Sequence, residues 1–369
     1  MLRLFIAFLV GFLFSACSKT NEEIEIDNPD ETATVVMVYT HPTASDTAYF
    51  GFTGKNIKVD WGDGSTDSFP SLSIGPGEML QNVSHKYAGG KKYIIKITSD
   101  ELTYLFAGTV MQINLKRATK LRKLWIPGGD IRELDLHTNT LLEELTCDFN
   151  DQLGKLDLSN NSALTSVKVS GCQISDLNLQ NCSKLKYLEC DGNLLKQLDM
   201  SGNPELEILS CNFNKLESIN LSKNSKLLQL DVGDNLLQEI DLSTNSKLYS
   251  LNIGANRITT LDLSGNPELQ TLRVKKARLN TLNTSKNSKL RELHLTENNL
   301  STLDISMNPA LIGININSNN FQATELNKIF GMLSQSSSSV RNYIRITNNP
   351  GASGCNTNIA IQKNWIIYN

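Results

Sequence analysis

Apolar residues recur along the middle of this chain with a period that neither a lone helix nor a lone strand produces. From Leu121 to about Phe330, ten consecutive segments restart on one pattern almost every 21 residues. Four of them read LKYLECDGNLLKQLDMSGNPE from Leu185, LEILSCNFNKLESINLSKNSK from Leu206, LLQLDVGDNLLQEIDLSTNSK from Leu227 and LYSLNIGANRITTLDLSGNPE from Leu248. The others start at Leu121, Leu142, Leu164, Leu269, Leu290 and Leu311, and an extra residue near Asp151 and Gln152 is the only slip in register. The consensus is LxxLxCxxNxLxxLDLSxNPx.

Inside a unit the fourth and sixth positions (Leu188 and Cys190, Leu209 and Cys211, Leu230 and Val232) alternate with polar residues, the period of a strand with one buried face. The second half repeats the alternation at Leu198 and Met200, Ile219 and Leu221, and Ile240 and Leu242. Each coil is therefore expected to have two extended sides separated by turns. No coil encloses its own apolar side chains, so burial has to come from stacking on neighbours. Strands stack at about 4.8 Å and helices at about 8–10 Å. A unit this short leaves no room for a full helix on its back, and a gently curved stack follows.

An Asn recurs at the ninth position (Asn193, Asn214, Asn235, Asn256, Asn298, Asn319). Where a coil turns away from its strand, buried backbone groups lose their ladder partners, and a stacked amide both donates and accepts along the axis. Cys172 holds this position in one unit and Cys182 the second Asn position of the same unit, whereas Ala277 holds the ninth position of another. The ladder is expected to be weakest at Ala277.

Ten units in register resemble the leucine-rich-repeat family, in the short variety found in surface proteins of Bacteroides-like bacteria, over more than half of the chain. The resemblance implies a mainly β leucine-rich-repeat solenoid over residues 100–320. Ahead of it, residues 34–99 carry the β-rich runs TVVMVYT, YFGFTG, IKVDWGDGS and KKYIIKIT, separated by turn signals at Asp63-Gly64 and Gly89-Gly90. VDWGDGS followed by SHKYAGGKKYIIKIT resembles a PKD-type immunoglobulin-like β-sandwich. Asp60 and Asp63 there fit backbone capping at a tight turn better than metal ligation. Residues 102–115 enter the stack as a half-unit, with Ile113-Asn114-Leu115 in register with the later LDL triplets. Past Phe321 the rhythm stops. Thr324 to Leu333 is expected to be a short amphipathic helix opened by a Thr cap, Asn342 to Thr347 a strand, and residues 321–369 together a C-terminal α/β cap.

The N-terminus has a different purpose. Met1 to Arg3 form a small basic region, Leu4 to Phe14 a short apolar run, and Ser15-Ala16-Cys17 follows at once. Residues 1–16 read as a signal peptide, and the FSAC ending resembles a bacterial lipobox, which implies lipidation of Cys17. The polar stretch to residue 33 reads as a disordered tether, and Lys19 to Glu23 is similar to acidic export signals of surface lipoproteins. The expected location is the outer membrane, held by lipid and exposed at the cell surface.

Composition narrows the chemistry. A formal charge of −3 with no strong basic or acidic run excludes a nucleic-acid footprint. Of seven Cys, Cys147, Cys190 and Cys211 sit at the inward sixth position as small hydrophobes, and free thiols are expected, since neighbours about 4.8 Å apart lie beyond disulfide Cβ spacing. His41, His85, His137 and His294 fall in no catalytic or phosphate-binding motif, so no catalytic residue, metal or cofactor is assigned. The Asx column at position fifteen (Asp135, Asp157, Asn178, Asp199, Asn220, Asp241, Asp262, Asn283, Asp304) fits a turn-bonded ladder better than a calcium site.

Positions three, five, seven and eight of each unit are expected to point outward, free of packing. Early units place Trp125, Phe149, Tyr187 and Phe213 there among Lys123, Glu144, Lys168, Glu189 and Asp191. Exposed aromatics among charges suit a polypeptide or a sugar ring, although Phe149 and Phe213 lie in the turn, where folding back onto the coil is an equal expectation. Arg273, Lys275, Lys276 and Arg278 beside His294 form a second, basic cluster. Together these features point to a non-enzymatic surface protein that binds a protein or peptide ligand, with a polysaccharide as the alternative and the lipid anchor as its sole tie to the membrane.

Overall fold

A computed structural model describes residues 26, 32–40, 47–70, 81–87, 91–337 and 341–369. The signal peptide, Cys17 and nearly all of the tether lie outside the described residues. Eight strands come first: β1 (Val35–Thr40), β2 (Thr47–Lys55), β3 (Ile57–Asp60), β4 (Thr66–Phe69), β5 (Gln81–Lys86), β6 (Lys92–Thr98), β7 (Glu101–Ala107) and β8 (Val110–Asn114). One sheet has the order β4-β3-β6-β1-β8, and β5-β2-β7 begin a second. The two pack on each other through Tyr39 and Phe50, whose ring centroids are 6.0 Å apart.

Trp61 is the centre of this sandwich. It is fully buried, stacks on Phe50 and His85, and donates its indole N–H to Asp67 at 2.8 Å. The two turn carboxylates cap backbone as expected: Asp60 accepts the Gly62 N–H at 2.9 Å and Asp63 the Ser65 N–H at 3.0 Å. The Ser65 hydroxyl and the neighbouring His85 hold the Asp63 carboxyl down to about 2.

The second sheet does not end with the sandwich. β7 pairs antiparallel with β2 on one edge and parallel with Lys123–Trp125 on the other. From there three-residue strands continue in parallel at Glu144–Thr146, Ser166–Lys168, Tyr187–Glu189, Ile208–Ser210, Gln229–Asp231, Ser250–Asn252, Thr271–Arg273, Glu292–His294, Gly313–Asn315, Tyr343–Arg345 and Ile366–Tyr368. The result is one 15-stranded sheet. Leu115 stands where the repeats place their sixteenth residue, since Asn139 donates to its carbonyl just as Asn161 donates to that of Leu136. The strands that close the sandwich thus also cover the first coil.

Two Asn columns hold the coils together. At the ninth position the amide donates to the sixth-position carbonyls of its own and the preceding coil and accepts an N–H from the preceding coil: Asn214 reaches Cys211 O at 3.2 Å, Cys190 O at 3.0 Å and Leu195 N at 3.1 Å. At the nineteenth position the amide donates twice to the preceding coil, as Asn224 does to Met200 O at 3.0 Å and Asn203 O at 2.8 Å. The Oδ1 atoms of Asn139, Asn161, Asn203, Asn224, Asn245, Asn266 and Asn287 accept nothing from protein. This position therefore needs only a donor, which explains Cys182: its thiol points at Leu158 O and Asn161 O, the acceptors an Asn would use. Cys172 likewise donates to Cys147 O, and the Leu153 N–H that an Asn there would receive turns to Asn150 O, beside the inserted residue.

The second side of the coils differs from the expectation of a strand in every unit. Lys155–Asp157 pairs with Asp176–Asn178, Asp199 and Asn220 form a single bridge, and the later coils have no such pairing. There the nineteenth-position amides, not backbone pairs, bind one coil to the next. The apolar alternation survives, with Leu198, Met200, Leu221 and Leu242 buried and Ile219 and Ile240 partly so. Cys147, Cys190 and Cys211 are buried free thiols, and hydrogen bonding to Cys211 together with burial pushes the Cys190 thiol well up.

At the far end α1 (Ala323–Met332) buries Leu326, Ile329 and Phe330 over the last coil. Its N-cap is Gln322, without a side-chain cap bond, so the expected Thr cap is not used; Thr324 lies inside the helix. Tyr343–Arg345 then rejoins the sheet, and Asn349 repeats the ninth-position amide by donating to Ile316 O and Ile346 O. A short α2 (Asn358–Ile361) precedes the final strand.

Ala277 interrupts the first column. By register its amide would reach Ile253 O and Ile258 N; instead Asn298 accepts from both Ala277 N at 3.2 Å and Leu279 N at 3.0 Å. Replacing Asn245 with Ala removes two core bonds, to Leu221 O and Asn224 O, and is expected to cost about 2–3 kcal/mol in urea unfolding. Ala277→Asn is expected to gain about 1 kcal/mol by the same measurement. A loss there would mean that the coil has closed over the missing amide.

Candidate binding surface

The third and fifth positions of each unit, together with their counterparts in β7 and the cap, form the outer face of the long sheet. Parallel pairing fixes them in rows: Trp125 opposes Phe106 on one side and Thr146 on the other, and Tyr187 opposes Ser166 and Ile208. Trp125 is 45% exposed and packs edge-on against Phe106 at 5.1 Å. Tyr187 is half-buried, donates its hydroxyl to Glu189 at 2.6 Å and carries the Lys168 ammonium over its ring at 5.1 Å. Burial, first, and the adjacent Glu189 push its phenol up. Trp125 and Tyr187 are three strand spacings apart, about 14 Å across the sheet, and two residues apart along it, and belong to separate clusters on one face.

Position seven is not free, contrary to the expectation. On the early coils its side chains form a third ladder, each accepting the seventh-position N–H of the next coil: Asp148 from Ser170 at 2.7 Å, Ser170 from Asp191 at 3.1 Å, Asp191 from Asn212 at 2.6 Å and Asn212 from Gly233 at 2.8 Å. Burial raises both Asp148 and Asp191 above the usual carboxylate range. On these four coils the ladder explains Asp, Ser, Asp and Asn without any ligand, whereas Pro127, Gly233, Gly254 and Lys275 hold the position on other coils without an acceptor.

Position eight turns the chain off the sheet, and every coil adopts positive φ there: Gly128, Phe149, Gly171, Gly192, Phe213, Asp234, Ala255, Lys276, Glu297 and Ser318 all lie between 52° and 68°. This left-handed conformation is costly for bulky residues. Phe149 and Phe213 nevertheless occupy it and are each 63% exposed, so they stand on the rim, with the Phe149 ring against Gly171 of the next coil. A Cβ at Gly171 would come within 2.6 Å of the Phe149 ring, so this glycine is what lets the ring lie across the next coil.

The basic cluster divides. Lys275 and Lys276 both pair with Glu297, at 3.6 and 3.4 Å. Arg273 stays on the strand face beside His294, whose ring is 3.2 Å from Glu292. Burial, then Arg273, lowers the His294 pKa, and Arg345 adds to this from the cap. Arg345, Tyr343 and Tyr368 were not foreseen as part of this face. The spacing of 21 residues is lost before them, and the one available signal was the strand pattern of Asn342 to Thr347.

The Asx column is used locally. Each residue from Asp135 to Asp304 accepts the N–H two residues on, as with Ser201 on Asp199 and Ser222 on Asn220, so Asp and Asn serve alike. A shallow cavity of about 660 Å³ lies away from the sheet, between α1 and Thr281, Leu303 and Met307.

This architecture defines a leucine-rich-repeat solenoid. No protein-family model matches the chain, and no curated protein does. Among solved structures it is similar to the functional domain of InlJ from Listeria monocytogenes, which includes a cysteine ladder, at 27% identity over 66% of this chain and 59% of that one, with a TM-score of 0.55. It is also similar to YopM, a leucine-rich effector from Yersinia pestis, at 26% identity over 62% of this chain and 61% of that one, TM-score 0.51. At 17% identity it shares the fold of the repeats of FLRT2, solved in an octameric complex with Latrophilin 3 and Unc5D, over 66% of this chain and 84% of that one, TM-score 0.53. The chain spans about six-tenths of the InlJ and YopM chains it matches.

Because the rim conformation disfavours a bulky side chain and the Phe213 ring is exposed, Phe213→Gly is expected to leave stability unchanged or raise it by up to about 1 kcal/mol. Thermal unfolding checks this. A clear loss would show that the ring packs on the coil after all.

Proposed function

We propose that this protein is a lipid-anchored surface protein that binds a polypeptide ligand on the outer face of its long sheet. The observation that carries the reading is that the third- and fifth-position rows, which face outward along the sheet and are for the most part only partly buried, vary from aromatic at Trp125 through acidic at Glu189 and Asp231 to basic at Arg273 and Arg345. A surface left only to solvent has no need of half-exposed aromatics in a charged frame. The use of this fold by FLRT2 in a complex with other proteins supports a protein ligand. The absence of a catalytic motif from the sequence supports a binding role over an enzymatic one, and the lipobox-like FSAC ending supports the anchor and an outer-membrane location.

Two experiments test these parts separately. Trp125→Ala with Tyr187→Ala is expected to weaken binding of a ligand captured from surface extracts by about tenfold or more, while circular dichroism stays unchanged; unaltered affinity would remove these two residues from the site. A glycan array run beside it distinguishes the polysaccharide alternative, which saturable sugar binding lost in the same variant would favour. Cys17→Ala is expected to move the protein from the membrane fraction to the soluble one, and a variant still retained with the membrane would exclude the lipid anchor.

A further inference from the structure

The C-terminal end of the strand face holds two arginines, Arg273 and Arg345, that no acid of the fold pairs among the described residues. Arg273, His294, Asn315 and Arg345 occupy the same register on four successive parallel strands. Among the described residues, neither Arg273 nor Arg345 has a carboxylate within ion-pair distance, whereas nearby Lys275 and Lys276 share Glu297. The acid in the adjacent row, Glu292, is already engaged by His294 at 3.2 Å and by the Tyr343 hydroxyl at 3.0 Å. The Glu292 carboxylate lies over Gly313, next along the sheet, where a Cβ would come within 2.2 Å of it.

We propose that Arg273, His294 and Arg345 form an anion-binding row that takes the side-chain carboxylates of an extended acidic peptide. The proposal rests on the strand-face reading above and names the chemistry of the bound segment at this end. Three strand spacings separate Arg273 from Arg345, about 14 Å, which roughly four residues of extended chain cover. Carboxylates at alternate residues of such a segment meet the guanidinium groups in turn, each able to form a paired, charge-assisted bond.

The neighbouring aromatics favour a peptide over a sugar. Arg345 lies over the Tyr368 ring at 4.8 Å and the Tyr343 ring at 5.7 Å, and the two rings meet edge to face at 6.4 Å. Arg345 thus already lies over a face of each ring on which a pyranose would stack. What remains open is N–H donors. The histidine reports on the row: with Arg273 and Arg345 both suppressing its protonation and Glu292 opposing them, a carboxylate placed between the arginines relieves that suppression.

The test uses the purified protein and a fluorescein-labelled peptide of alternating Glu and Ser, with an alternating Lys and Ser peptide and a sulfated oligosaccharide as comparison probes. Saturable binding of the Glu peptide, weakened about tenfold by Arg273→Gln and by added salt, with the His294 NMR titration moving to higher pH on binding, is the expected result. Arg273 is exposed and holds nothing in the fold, so this variant stays informative if Arg345→Gln loosens the cap. Equal binding of the Lys peptide, or an unmoved His294 titration, overturns the row. Tighter Arg273-dependent binding of the oligosaccharide overturns the peptide assignment. Failure here leaves the Trp125 and Tyr187 experiment standing, because those residues lie at the other end of the face.

Discussion

Everything in this molecule depends on a side-chain amide that does the work of backbone. A coil of about 21 residues must turn away from its strand, and at each turn it leaves carbonyls and N–H groups inside a dry stack. The ninth-position Asn answers donor and acceptor needs together, and the nineteenth-position Asn answers donor needs alone. Since each bond runs from one coil to the next, no single coil is stable by itself, and stability accrues by neighbours. The columns tolerate substitution according to this accounting of donors and acceptors. Cys182 keeps a donor and is accommodated, whereas Ala277 keeps neither function, and its neighbour Asn298 takes up an extra N–H.

The amides also decide which surface is free. Because they fix the coil spacing, the three-residue strands stay in parallel register from β7 to Ile366–Tyr368, and the sandwich is welded to the solenoid through a shared sheet. Along that sheet position seven is claimed by a ladder of short acceptors and position eight by a left-handed turn. Only the third and fifth positions escape both. A ligand that reads this protein on the sheet reads two residues per coil, presented at the strand spacing, with charge changing sign from the middle coils to the cap.

How much of this was legible in advance follows from what repeats. Inward Leu, Cys, Val and Asn recur because every coil sets them the same problem, so the fold class, the register and the inward thiols could be read from one chain. Relations between particular coils do not recur. The acceptor ladder from Asp148 to Asn212 uses a different residue at each step, and Arg345 joins Arg273 and His294 only after a helix has broken the spacing. The second-half strands were read too generously, because alternation reports burial and not pairing. Of the residues singled out for binding, Trp125 and Tyr187 share the strand face but not a cluster, Phe149 and Phe213 stand on its rim, and Lys275 is paired away to Glu297. Alternation says which side a residue is on and nothing about its neighbour there.

The rim carries the argument one step further. At position eight the geometry is imposed by the coils on either side, and it would be met most cheaply by Gly, Asn or Asp. Coils with Gly171, Gly192 and Asp234 follow that preference, while those with Phe149 and Phe213 pay about 1–2 kcal/mol against it. Neither ring recovers this by burial, since each is 63% exposed. Such a residue is explained neither by its local conformation nor by the core, although Ala255, Lys276, Glu297 and Ser318 accept the same conformation on other coils. The two lie on either side of Gly171 and Gly192, next to the half-buried Asp148 and Asp191, so two large apolar surfaces and two partly desolvated carboxylates share one edge of the sheet.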